Sequence, residues 1–260
     1  MPAFGAKDVQ ELRKATGAGM MDAKKALTAA DGDFEAATQI LREKGLAKAA
    51  GRGDRDNAEG VVAVARNDSA AALVHLKSET DFAAKSDDFR ALAQELADLV
   101  LTDGPDAVKT KDAELENLKL TVKENIDVGT VERYELQPGA VIDAYLHGEG
   151  RAGVLIEGEG IDLDTLHEIA LHVAFAKPSY LHRDDVPAEE VEKERAVLLE
   201  ITKVEGKPEQ AWPKIVEGRL NAWYGERVLL EQGVFGDKET VAAKIGDGTI
   251  HRFALALVGG

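Results

Sequence analysis

The chain has 260 residues, 44% of them hydrophobic and 5% aromatic, with no cysteine and a formal charge of −16. It is too apolar to be disordered and long enough for one large core or two to three small ones. The composition excludes disulfides and thiolate metal sites, and so negative a chain is a poor candidate for nucleic-acid binding through many phosphate contacts.

The opening shows no positively charged segment followed by an apolar run. No stretch approaches the roughly 18 apolar residues that would span a bilayer, so a soluble, cytoplasmic protein without membrane contact is expected. Charge is uneven: residues 1–55 hold ten Lys/Arg against eight Asp/Glu, a mildly basic head on an acidic body.

In chain order, the first 45 residues read as three short helices. Val9 and Leu12 share one face, Ala23, Ala26, Leu27 and Ala30 the next, and Phe34, Ala37 and Leu41 the third, at helical spacing. Gly17 and Gly19 break the first pair, Asp31-Gly32-Asp33 breaks and recaps the second, and Gly45 is expected to end the third. Residues 49–60, rich in Gly, Asp and Arg and without apolar periodicity, read as a linker about which the three-helix module can move.

Two strand-like runs around Asn67-Asp68-Ser69 then predict a hairpin. Ser86 precedes Phe89, Leu92, Leu96 and Leu99, an amphipathic helix with Ser86 as its N-cap. A second helix is expected over residues 112–125, followed by strands at Thr130–Leu136, Ala140–His147 and Ala152–Glu157. Leu166, Ile169, Ala170 and Val173 line another helix that stops before Pro178. Charged helical patterns over 188–231, interrupted by Gly206-Lys207-Pro208, predict a helical hairpin with Pro213 near the start of its second arm, and "TIHRFALALVGG" closes the chain as a strand. Helices and strands come in blocks rather than strict alternation, so the expected class is α+β with largely antiparallel sheets.

Two motifs suggest enzymes and are declined on context. Gly148, Gly150 and Gly153 satisfy the spacing G-x-G-x-x-G, but a β-rich run follows where a dinucleotide site needs a helix N-terminus; a Gly-rich turn between antiparallel strands fits better. His167 to His172, "HEIALH", is one residue longer than the zinc protease motif, which turns the second imidazole roughly 140° away from the first. With no phosphate-binding loop, nucleophile elbow or distinct carboxylate pair, no catalytic residue, cofactor or metal site is expected.

Five stretches in order resemble the family of elongation factor Ts, the bacterial and organellar nucleotide exchange factor for elongation factor Tu. They are "LRKATGAGMMDAKKAL" (12–27), "ETDFAAK" (79–85), "HGEGRAGVLI" (147–156), "LHVAFAKPSYLHRDDVPAEEVEKE" (171–194) and "GKPEQAWPKIVEGRLNAWYGERVLLEQ" (206–232), and together they cover nearly the whole chain. In and just before the second stretch the chain departs from the family, where His75, Lys77 and Ala83 replace an acidic residue, an Asn and a Val. The chain also ends after its last strand, so contacts made by the C-terminal helical extension of longer members are expected to be missing.

The resemblance implies a UBA-like three-helix domain at 1–48, a linker at 49–60, a first core subdomain at 61–138, a second at 139–177 with 233–260, and a helical hairpin inserted at 178–232. It implies elongation factor Tu as partner and GDP release, without covalent chemistry, as the activity. The resemblance implies that Asp81 and Phe82 form a wedge near the GTPase Mg²⁺ and phosphate site, with Thr80 beside them as a partner-binding residue. It likewise implies that Met20 and Met21 contact the GTPase domain and that His147 and Gly148 touch the partner at a second Gly-rich corner. On pattern alone Phe82 would instead be a staple packed against the helix after Ser86. Met20 and Met21, being adjacent, point in different directions and are not both expected in the core, and Arg13, Lys24 and Lys25 are candidates for steering encounter. The charged faces of the hairpin permit either a monomer or a homodimer.

Overall fold

The structure is a computed structural model that describes residues 4–259, and of residues 46–50 the backbone alone. The architecture is α+β, with two three-stranded sheets among the described residues, and the chain divides into two compact units. One unit comprises Met1–Ala63, Val74–Glu132 and Leu257–Gly260; the other comprises Val64–Leu73 and Arg133–Ala256.

The first unit begins with α1 (Ala6–Thr16), α2 (Met20–Ala29) and α3 (Phe34–Ala50). Their shared core is Val9, Leu12, Ala23, Ala26, Leu27, Ala37 and Leu41, close to the periodic stripes in the sequence. Phe34 lies outside it and is exposed. Asp33 caps α3, its Oδ1 accepting the Ala36 amide at 2.8 Å. Gly45 does not end α3, as its low helix propensity suggested; the helix runs one and a half turns further. The reason is tertiary. A Cβ at position 45 would press into the side chain of Leu120, so glycine is what allows α3 to approach the helix carrying Leu120 this closely.

Strands β1 (Glu59–Arg66) and β2 (Ala70–Ser78) form the expected hairpin, and β3 (Asp127–Glu135) adds beside β2 in the order β1-β2-β3. Asn67 makes the turn, its Oδ1 accepting the amides of Ser69 and Ala70 at 2.8 and 2.9 Å. β2 is buried on both faces along almost its whole length, so it shows a continuous apolar run rather than alternation. A one-turn helix, α4 (Asp81–Ala84), then leads into α5 (Asp87–Asp103). Phe89, Leu92, Ala93, Leu96, Ala97, Val100 and Leu101 of α5 are buried. Val100 therefore takes the core position expected for Leu99. A buried leucine or phenylalanine of this kind contributes about 1.5–3 kcal/mol. After a 3₁₀ segment, Pro105–Lys111, comes α6 (Asp112–Val122), three residues shorter than expected because Lys123 adopts a left-handed φ of 65° and turns the chain away. β3 consequently starts at Asp127, three residues before the predicted strand.

In the second unit, β4 (Ala140–His147) pairs antiparallel with β5 (Ala152–Glu159), and β6 (Thr249–Leu257) completes the order β4-β5-β6. Helix α7 (Leu163–Ala176) packs on β4 and β5. Its N-cap Asp162 accepts the Thr165 amide at 2.9 Å, and these hydrogen bonds hold the Asp162 carboxyl below the usual carboxylate range. Val154, Ile156, Leu166, Ile169, Ala170, Val173 and Ile250 are at the centre of the resulting core. Helices α8 (Ala188–Val204) and α9 (Trp212–Arg227, with Pro213 in its first turn) pack against each other, and Val186, Leu220, Trp223, Tyr224 and Val228 form a small core. A short α10 (Val241–Ile245), not foreseen from the sequence, precedes β6.

Candidate functional site

The corner between β2 and α5 is built from the backbone outward. Thr80 is the N-cap of α4, its hydroxyl oxygen accepting the Ala83 amide at 3.3 Å, and Ser78 donates its hydroxyl to the Thr80 carbonyl at 3.0 Å. Ser86 occupies the N-cap position of α5 but makes no side-chain cap; its hydroxyl turns back to the Ala83 carbonyl at 2.8 Å, tying α4 to α5. Ala83 and Ala84 are buried and supply the packing. Phe82, between Asp81 and these alanines, is 83% exposed. It is not a staple on α5. An aromatic ring left in water at a corner whose neighbours are all tied down is an unsatisfied apolar surface on a rigid mount.

The tie that fixes this corner comes from far along the chain. Glu124 Oε2 accepts the amides of Glu79 and Thr80, both at 3.0 Å, and its Oε1 accepts the Thr80 hydroxyl at 2.6 Å. In return, Glu79 Oε1 accepts the Asn125 amide at 2.6 Å, and Arg55 approaches the same carboxylate at 3.4 Å. Sequence reasoning did not find Glu124. Nothing in its local pattern separates it from the other 47 acidic residues; its position follows from the left-handed turn at Lys123.

Asp81 pairs with Lys85 one turn on, at 2.6 Å, and this hydrogen bond and charge lower its pKa. The carboxylate at the tip is therefore ionised and aimed along α4 beside Phe82.

Two of the three departures from the family pattern lie at buried positions of this unit. Ala83 packs under the corner, and His75, in the middle of β2, is only 5% exposed. Its ring fits because the neighbouring strands carry glycine on either side: a Cβ at Gly60 would stand 3.1 Å from His75 Nε2, and one at Gly129 would stand 3.4 Å from Nδ1. Nε2 has no hydrogen-bond partner among the described residues. Burial, and secondarily the charge of Lys77, push the His75 pKa down to about 4. The folded state thus takes up this proton only near pH 4, whereas the unfolded chain takes it up near 6.5, so the protein loses stability as pH falls between those values. We expect His75→Leu to flatten that acid-side loss: the gap in urea midpoint between pH 7 and pH 4.5 narrows relative to the unsubstituted chain. Equal gaps in the two proteins would refute a buried neutral His75.

Met20 and Met21 begin α2, after Gly19, and are 47% and 63% exposed. His147 ends β4 and Gly148 follows it with a φ of 57°, the first of three left-handed residues with Glu149 and Gly150. Both are exposed. The glycine-rich segment is thus a turn between antiparallel β4 and β5, without the following helix that a dinucleotide requires. His167 and His172 part company as their spacing implied: His167 Nδ1 meets Asp143 at 2.8 Å, whereas buried His172 meets Gln232 at 3.0 Å and the Phe235 amide at 3.1 Å. Thr80, Asp81 and Phe82 thus share one corner of the first unit, Met20 and Met21 lie on another helix of that unit, and His147 and Gly148 belong to the second unit.

A family model described as Elongation factor TS matches residues 79–259, a span that runs from the tied corner through β3 and the whole second sheet to just past β6. The chain belongs to the elongation factor Ts family. Elongation factor Ts of Clavibacter michiganensis is 42% identical over the whole of both chains. That of Cutibacterium acnes is 43% identical over 92% of each, and that of Deinococcus radiodurans 39% identical over 97% of this chain and 99% of its own. An elongation factor Ts is a translation elongation factor that acts as a nucleotide exchange factor and catalyses no covalent chemistry. No helix among the described residues is long and apolar enough to cross a membrane.

Proposed function

We propose that the chain binds elongation factor Tu and accelerates its release of GDP by inserting Phe82 and Asp81 beside the Mg²⁺ and phosphate site. The observation that carries this reading is Phe82 itself, an exposed aromatic on a corner whose backbone is fixed by Glu124. An exchange factor works by binding the nucleotide-free GTPase better than the loaded one, and linkage then makes it weaken nucleotide binding by the same factor. A mobile ring would lose part of its packing energy to ordering; a ring presented on a fixed turn keeps it for deforming the partner. Asp81 adds negative charge beside that ring, suited to a partner helix N-terminus or to competition for the cation's water ligands.

Thr80 serves as the cap that sets the turn. Met20 and Met21, soft and exposed, are assigned to the partner's GTPase domain, and His147 with Gly148 to a further contact with the same partner. We assign α1–α3 to a UBA-like head and α8–α9 to an inserted helical hairpin.

The test follows a fluorescent GDP analogue leaving elongation factor Tu. Substoichiometric amounts of the chain should speed release many-fold, and excess GDP should dissociate the protein complex. Release at the spontaneous rate would refute the reading.

A further inference from the structure

Alternation along β4 puts Asp143, Tyr145 and His147 on one face of the strand. Helix α7 packs against β4, and His167 from that helix completes a connected set of side chains. Asp143 is buried; its Oδ2 binds His167 Nδ1 at 2.8 Å, and its Oδ1 faces Arg66 at 3.3 Å. The imidazole so fixed stands edge-on to the Tyr145 ring, at 5.6 Å and 87°. Tyr145 also packs against the apolar core of its unit, and its hydroxyl reaches His147 Nδ1 at 2.8 Å. A phenol O–H is a stronger donor than a neutral imidazole N–H, and an imidazole lone pair is the stronger acceptor, so Tyr145 donates. With Nδ1 occupied, the remaining proton of neutral His147 resides on Nε2, at the exposed end of the ring.

We propose that Tyr145 is a positioning residue for nucleotide exchange: it locks His147 in the Nε2–H tautomer and a fixed ring orientation, presenting one hydrogen-bond donor to an acceptor oxygen of the GTPase. This rests on the partner-binding role proposed for His147. Asp143 fixes His167, and His167 in turn packs edge-on against Tyr145, so the exposed imidazole is braced through the Tyr145 ring. Without the phenol hydroxyl, His147 could rotate about χ1 and χ2 and exchange tautomers, and part of its contact would be lost to ordering.

The test uses Tyr145→Phe, which keeps the ring and its packing, with His147→Ala and the double variant, all in the full chain. In the unsubstituted protein, ¹⁵N spectra of the His147 ring should show the Nε2–H form, and Tyr145→Phe should shift it to a mixture of tautomers with an unchanged unfolding midpoint. Stimulated GDP release should slow about five-fold in Tyr145→Phe, the value of one hydrogen bond. It should slow no further when Tyr145→Phe is added to His147→Ala. An unchanged tautomer in Tyr145→Phe, or additive effects in the double variant, would overturn the role of Tyr145. A His147→Ala protein that stimulates release as well as the unsubstituted one, with the tautomer locked as described, would overturn instead the partner role of His147 on which the inference stands.

Discussion

Phe82→Ala should leave the chain folded and nearly abolish its ability to speed GDP release. The ring is 83% exposed, so its removal opens no cavity, and the unfolding midpoint should stay within experimental error of the unsubstituted protein. In the complex the same ring is proposed to fill a pocket in the GTPase. Truncating such an aromatic anchor costs about 2–4 kcal/mol, equivalent to roughly 30- to 1,000-fold in stimulated release. Stopped-flow release of a fluorescent GDP analogue measures the loss. A variant that still stimulates at the unsubstituted rate would remove Phe82 from the mechanism.

Glu124→Ala should weaken both stability and exchange, through a residue that is not proposed to touch the partner. The substitution leaves the amides of Glu79 and Thr80 and the Thr80 hydroxyl without their acceptor. Such groups can turn to water only if the corner opens, which predicts a loss of about 2–4 kcal/mol in unfolding free energy. Exchange should fall by at least ten-fold at a temperature where the variant remains folded, because Phe82 is then presented on a turn that no longer holds one conformation. Glu124→Gln retains an acceptor oxygen and should recover part of both losses. Full exchange activity in a measurably destabilised Glu124→Ala protein would separate the tie from the wedge.

Much of the fold could be read from periodicity. The stripes at Val9 and Leu12, at Ala23 to Leu27, and at Leu166 to Val173 face cores as their spacing requires, because helical repetition of apolar residues is a burial pattern before it is anything else. Boundaries failed where a distant contact outweighed local preference. Gly45 lies inside α3 because Leu120 needs the space a side chain would fill, and α6 stops early because Lys123 accepts a left-handed conformation that costs about 1–2 kcal/mol in isolation. Phe82 departs from its local pattern for a similar reason: "ETDFAAK" on pattern alone favours a staple, but Ala83 and Ala84 take the buried positions and leave the ring exposed. The Tyr145 to His147 contact has a sequence signal, the i, i+2 spacing on a strand, but its bracing by Asp143 and His167 depends on where α7 packs. No local pattern encodes that.

The tie at Glu124 and Asn125 joins residues 44 to 46 positions apart through four hydrogen bonds in a chain with no cysteine. It closes a loop of the length that secreted proteins often fasten covalently, and it confines the unfolded corner less but forms without an oxidant. A thiol cross-link at this place would make the mount for Phe82 a function of the surrounding glutathione balance. A carboxylate clasp is indifferent to electron donors, so the tip keeps its shape whatever the redox poise around it.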